Sequence, residues 1–291
     1  MRMIKQFIKT ILTLPLDIFN YSFMIYDKII CNIFPQMKGV GRQKIINAID
    51  NDIKLIKHGA AKFYLYTPNG ICDYRHNTFS TKEPEMLEWI DEYGGGVFFD
   101  VGASIGIYSL YYAATQQGSV YSFEPSPFNL RQLVKNICKN KMTDRITVVT
   151  NPLTYKTDIA AFINGSSEEG AAMNAFGVSY GQDAKPINSD IKYNMIGFSL
   201  DDLIEKNILK ETPSLIKIDV DGIEHLILKG AVKTLRSEKL KSIYIEVNDD
   251  FEEQSSQVKI ILESAGFKLK EKRHAEMFVT TNIFNQIWVK K

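Results

Sequence analysis

The sequence predicts an α/β fold built on a mostly parallel sheet, and three observations predict it. Residues 97–125 read VFFDVGASIGIYSLYYAATQQGSVYSFEP: an apolar run ending in Asp100, a glycine turn, a helix-like segment, and a second apolar run closing on Glu124-Pro125. Strand, glycine turn, helix and acid-terminated strand are the layout of a nucleotide-binding βαβ unit. Strand-like and helix-like stretches keep alternating afterwards, with strands expected at Ile146–Thr150, Ser214–Asp219 and Ser242–Val247. The last two strand-like runs, Phe267–Lys272 and Ile283–Val289, are close enough in sequence to pair antiparallel.

The 291 residues suit one large α/β domain with an appendage, and 45% hydrophobic with 24% charged residues is an ordinary globular balance. A net charge of +1 gives no basic footprint for nucleic acid. Three widely spaced cysteines, Cys31, Cys72 and Cys138, argue against a disulfide or metal framework and for a reducing cytoplasm.

The N-terminus, 1–34, sets Arg2, Lys5 and Lys9 ahead of an apolar series that Pro15 and Asp17 interrupt before it reaches spanning length. Residues 1–57 hold nine Lys or Arg against four Asp. Two readings stand: a helical arm packed on the domain or on a partner subunit, or a peripheral anchor at the inner face of the membrane. A glycine-containing turn and a mostly polar helix are expected over 35–60, so 1–60 reads as an N-terminal helical extension and 61–291 as the main domain. AKFYLYTPNG (61–70) suggests a strand closed by a Pro-Asn-Gly turn. Ser80 and Glu83 have capping-box spacing at the start of a helix that runs to about Glu92.

Beyond the central unit a helix is expected over Pro127–Met142. Residues 158–198, rich in Gly, Ser, Asn and Asp, then read as a substrate-facing insertion. Ser199 should cap a helix through Leu209, a further helix should span Gly222–Arg236, and another Val258–Ala265.

The glycine turn has the form D-x-G-x-x-x-G, Asp100 through Gly106, rather than the G-x-G-x-x-G that seats a pyrophosphate. That points away from a nicotinamide dehydrogenase and toward a nucleoside without phosphates. Glu124, at the end of the second strand, can accept hydrogen bonds from both ribose hydroxyls, so S-adenosylmethionine (SAM) fits. Further on, KIDVDGIEH delivers Asp219 and Asp221 to a strand's C-terminal edge, with Glu246 and Asn248 on the next strand. Carboxylates gathered there should hold a proton, a cation or a substrate hydroxyl. Asp219, Asp221 and Asn248 are suitable hard ligands for Mg²⁺ or Ca²⁺, but no metal is assigned. His225 is an alternative base; His58, His76 and His274 have no motif around them.

VFFDVGASIGIYSLYYA, SFEPSPFNLRQLVKNI, GFSLDDLI and IKIDVDGIEHLILKGA followed by IEVN, in this order and after the lead-in TFSTKEPEMLEWID, resemble the FkbM-type SAM-dependent methyltransferases over about residues 75–250. The resemblance implies a class I methyltransferase, Rossmann-like fold: a mostly parallel seven-stranded sheet with an antiparallel terminal strand. It implies cofactor contacts at Asp100, Gly102, Ser104, Gly106 and Glu124, adds Glu83 from the lead-in, and puts the catalytic acids at Asp219 and Asp221. Many members carry Glu where this chain has Asp221, and Asn151-Pro152-Leu153 departs from the usual pattern after the third strand. The expected reaction is methyl transfer to a hydroxyl, of a sugar in a surface glycan or glycolipid. The alternatives are a lipid or natural-product hydroxyl, or a nucleoside-binding scaffold without turnover.

Overall fold

The computed structural model describes residues 2–274 and 279–291, and the chain divides into two compact units, Met1–Asp52 and Ile53–Lys291. The smaller is helical. Helix α1 (Arg2–Ile33) runs through Pro15, and Gly39 at φ +80° turns the chain into α2 (Val40–Asp50). An Arg42–Asp27 ion pair at 2.9 Å joins the two helices. Among the described residues no helix is long and apolar enough to cross a membrane.

The larger unit starts on a hairpin, β1 (Ile53–His58) with β2 (Ala61–Tyr66), so the polar helix expected to reach residue 60 stops at Asp50. Alternation explains the strand: Ala61, Phe63 and Leu65 point inward between exposed neighbours. The Pro-Asn-Gly sequence starts a helix instead of closing a turn. Asn69 accepts a 2.9 Å bond from the Cys72 amide and caps α3 (Gly70–Asn77). The Ser80–Glu83 capping box does not form either. Pro84, with φ already set for a first helical turn, starts α4 (Pro84–Tyr93), and Ser80 instead bonds His58 at 2.9 Å.

Next come β3 (Phe98–Val101), α5 (Ile107–Thr115), β4 (Val120–Phe123), α6 (Pro127–Lys139) and β5 (Ile146–Val149). The insertion folds into its own antiparallel sheet of β6 (Asp158–Ile163), β7 (Ala175–Phe176) and β8 (Lys192–Gly197). Ser199 caps α7 (Leu200–Glu205), shorter than expected, ahead of β9 (Leu215–Ile218). The single helix expected over Gly222–Arg236 is two, α8 (Glu224–Lys229) and α9 (Val232–Leu235), broken where Gly230 passes the Thr154 carbonyl too closely for any side chain. The chain ends with β10 (Ser242–Asn248), α10 (Glu252–Ser264), β11 (Phe267–Arg273) and β12 (Ile283–Lys290).

The main sheet has seven strands in the order β11-β12-β10-β9-β3-β4-β5, all parallel except β12. It is the α/β, class I arrangement, and the antiparallel strand, last in sequence, inserts between β11 and β10. Alternate residues of β3 serve opposite cores: Phe98 packs with Trp89 and Tyr112, Phe99 with Phe123 and Ile216. The strand order reverses between β3 and β9, and this switch point opens a crevice at their C-terminal ends.

Candidate functional site

On one side of the crevice the turn after β3 is held by tight backbone approach. Gly102 sits at φ +82°, and a Cβ there would lie 1.9 Å from the Asp219 carbonyl oxygen, so the turn and the end of β9 can meet only at glycine. Gly106, at φ +86°, starts α5. Asp100 is buried and accepts a 2.6 Å bond from Ser109 Oγ. Glu124 is buried too; its two oxygens accept the amides of Ser104 and Ser126, each at 2.8 Å. Burial outweighs those amides and pushes its pKa up to about 7. The buried Ser104 hydroxyl has no protein partner among the described residues.

Across the crevice Lys217 is the hub. β9 pairs with β3 in a register that sets Lys217 opposite Asp100. Its ammonium donates to the Gly102 carbonyl (2.8 Å) and lies 3.4 Å from Asp100 and 3.3 Å from Asp219. Burial opposes a charge there, yet Asp219 and Asp100 outweigh it and hold the lysine pKa above its ordinary value. Asp219 keeps 32% of its side-chain surface open. Against the cost of burial, Lys217 and then Lys82 hold it below the ordinary aspartate range. Asp221, at φ +64°, accepts the amides of Met173 (2.7 Å) and Asn174 (3.0 Å); burial, then the charge of Asp219, raise it to about 6. Glu83, not used as a cap, pairs with Lys82 at 2.6 Å and accepts from the Tyr108 hydroxyl.

These groups share one cleft of about 870 Å³, counted with its open mouth, within the size range of small-molecule sites. Its wall includes Glu83, Gly102, Ser104, Glu124, Asp219 and Asp221. Phe123, Leu153, Phe162 and Phe176 make part of the wall apolar. Ala171, Ala172 and Asn174 bring the insertion into it, and three anchors pin that segment: Arg75 on the Gly170 carbonyl, Asn129 on Gly170 and Ala171, and Asp221 on Met173 and Asn174.

Five expected residues are not on this wall: Asp100 and Gly106, which lie behind the glycine turn, and Glu246, Asn248 and His225. Glu246 is covered by Gln182 of the insertion, which donates to its carboxylate, and burial raises its pKa well above the usual range. Asn248 donates to the Gln182 carbonyl (3.0 Å) rather than reaching toward Asp219. His225 faces away, its ring 5.9 Å from Phe251, with both nitrogens buried and unpartnered among the described residues. Burial lowers its pKa. An unpaired buried polar group costs ~1–3 kcal/mol. His225→Leu is therefore expected to raise the melting temperature by a few degrees with transfer activity unchanged, checked by thermal unfolding and turnover. Among the described residues no group of three or more His, Cys, Asp or Glu side chains is placed to share a metal ion.

The cleft wall also includes Lys217, Tyr108, Lys82 and Arg75, to which no motif in the sequence gives a role. Lys217 carried one signal, a cation in the otherwise apolar strand Leu-Ile-Lys-Ile, where only a buried counter-charge tolerates it.

A model of the family described as "Methyltransferase FkbM domain" matches residues 100–269. Hexuronic acid methyltransferase AglP of Haloferax volcanii is 26% identical over 165 residues, 57% of this chain and 61% of that protein. The 31-O-demethyl-FK506 methyltransferase FkbM of Streptomyces tacrolimicus is 25% identical over 177 residues, 53% of this chain and 66% of that one. The chain thus spans less than two thirds of the length of each of these relatives. Among solved structures, methyltransferase FkbM of Methylobacillus flagellatus superposes with a TM-score of 0.46 at 15% identity, covering 86% of this chain and 59% of that one.

Proposed function

The chain belongs to the FkbM methyltransferase family, and from that premise we propose that it is a SAM-dependent O-methyltransferase acting on a sugar hydroxyl of a surface glycan or glycolipid. The observation that carries the reading is the meeting, in one cleft, of a buried strand-end acid on the β4 side, Glu124, with an acidic pair on the β9 side, Asp219 and Asp221. The residues fit the donor. Gly102 lets the turn close on the end of β9 at the cleft, the Ser104 hydroxyl has no protein partner among the described residues, and Glu124 is a buried carboxylate at the distance down the chain that a ribose needs. When bound, SAM supplies an electrophilic methyl group.

The protein's part is to hold and deprotonate the acceptor. Glu124 accepts the ribose hydroxyls, with Glu83, Asp100, Ser104 and Gly106 shaping the donor end. Asp219, kept ionised by Lys217, orients the acceptor hydroxyl. Asp221, with a pKa of about 6, is better matched to taking up a proton near neutrality. Glu246 and His225 act outside the cleft, Glu246 as a support for the insertion. The sugar is supported by the likeness to a hexuronic acid methyltransferase. On this reading the enzyme works in the cytoplasm, with residues 1–34 as a peripheral contact to the inner face of the membrane.

Asp219→Asn tests it. Transfer from labelled SAM to the glycan fraction of the source cell should fall about 10²-fold, the scale of a misplaced reacting hydroxyl, with donor affinity within a few-fold of wild type. Full activity in this variant would remove Asp219 from the reaction.

A further inference from the structure

Three cations line the cleft, and two of them are spent. Lys82 is paired with Glu83 and Lys217 is shared by Asp100, Asp219 and the Gly102 carbonyl. Arg75, from α3, differs. Its Nε and Nη2 donate to the single carbonyl of Gly170, at 2.8 and 2.7 Å, which fixes the guanidinium plane. Among the described residues no carboxylate stands at ion-pair distance from it, although its charge is felt at Asp219, Asp221, Tyr108 and Lys82. Two of five N–H groups are used on a neutral acceptor, and the side chain forms part of the cleft wall.

A half-buried, immobilised guanidinium with donors to spare suits a planar anion bound through two oxygens. We propose that Arg75 is the seat of a ligand carboxylate in this cleft. The inference rests on the methyl-transfer reading above. Two ligands of that reaction can bring the group: the amino-acid end of the methyl donor, or an acidic sugar acceptor. The Gly170 bonds give Arg75 a second effect, since the residue that reads the carboxylate also anchors the insertion beside it.

Calorimetric titration separates the sources with two pairs of probes. S-adenosylhomocysteine is compared with its decarboxylated analogue, and methyl glucuronide with methyl glucoside in the presence of S-adenosylhomocysteine. Wild type is expected to prefer the carboxylated member of at least one pair by about 10- to 100-fold, the scale of a hydrogen bond to a charged group. Arg75→Gln should erase that preference and Arg75→Lys keep part of it, while 5′-methylthioadenosine, which has no carboxylate, binds all three proteins alike and reports an intact cleft. A preference in the first pair assigns the seat to the donor, in the second to the acceptor. No preference in either pair, a preference that survives Arg75→Gln, or equal loss of 5′-methylthioadenosine overturns the proposal with the methyl-transfer reading intact. Failure of wild type to bind any of the nucleosides overturns both.

Discussion

Lys217→Met is expected to lower the melting temperature of the protein by roughly 6–20 °C and to reduce methyl transfer by at least about 10²-fold. The stability effect follows from burial. Lys217 faces Asp100, which is fully buried, and Asp219, and supplies a donor to the Gly102 carbonyl. Removing one partner of such a cluster leaves uncompensated buried charge, a loss of ~3–5 kcal/mol. Each kcal/mol shifts a unit of this size by ~2–4 °C. The activity effect follows from position, because the same ammonium ties the donor-side turn to the acceptor-side acid. Adding Asp100→Asn separates the two. It should recover part of the melting temperature by removing the stranded charge and recover none of the transfer, since Asp219 still lacks its counter-charge. Recovery of both would make Lys217 a purely structural residue.

Glu124→Ala should weaken donor binding about 10²-fold, the worth of charge-assisted hydrogen bonds to two hydroxyls, with turnover regained at high donor concentration. The pH dependence carries a definite sign. Burial raises Glu124 from 4.5 to about 7, so without ligand its contribution to stability is fully present below the unfolded value and is lost as pH rises through 7. Glu224, raised to about 7, and Asp221, raised to about 6, act in the same direction. The ligand-free protein should therefore gain stability from these groups between pH 8 and pH 5. Donor binding moves oppositely, because only ionised Glu124 accepts both hydroxyls. Affinity in wild type should drop about tenfold from pH 8 to pH 6, and the alanine variant should lack that dependence.

Much of the candidate site is legible along the chain because its residues cluster in short stretches. Asp100 to Gly106, Glu124, Asp219 and Asp221 all lie at strand ends, where one parallel sheet gathers them. What escaped depends on pairings between distant segments. Lys217 becomes a hub only because β9 lies against β3 in the register that opposes it to Asp100, which also brings it to the Gly102 carbonyl, 115 residues earlier. Glu246 and His225 looked available in sequence; the first is sealed by Gln182, 64 residues away, and the second turns into the packing beside Phe251. Ser80 and Glu83 have capping-box spacing, yet Pro84 starts the helix, and the Glu83 carboxylate lies on the cleft wall, the place the family resemblance implies for it.

The most direct measurement of the central claim is calorimetric titration of the wild-type protein, and of Glu124→Ala beside it, with S-adenosylhomocysteine and with NAD. One site per chain for S-adenosylhomocysteine, weakened about 10²-fold by the substitution, with no heat from NAD, is the predicted result. Heat from NAD alone, or S-adenosylhomocysteine binding indifferent to Glu124, would contradict it.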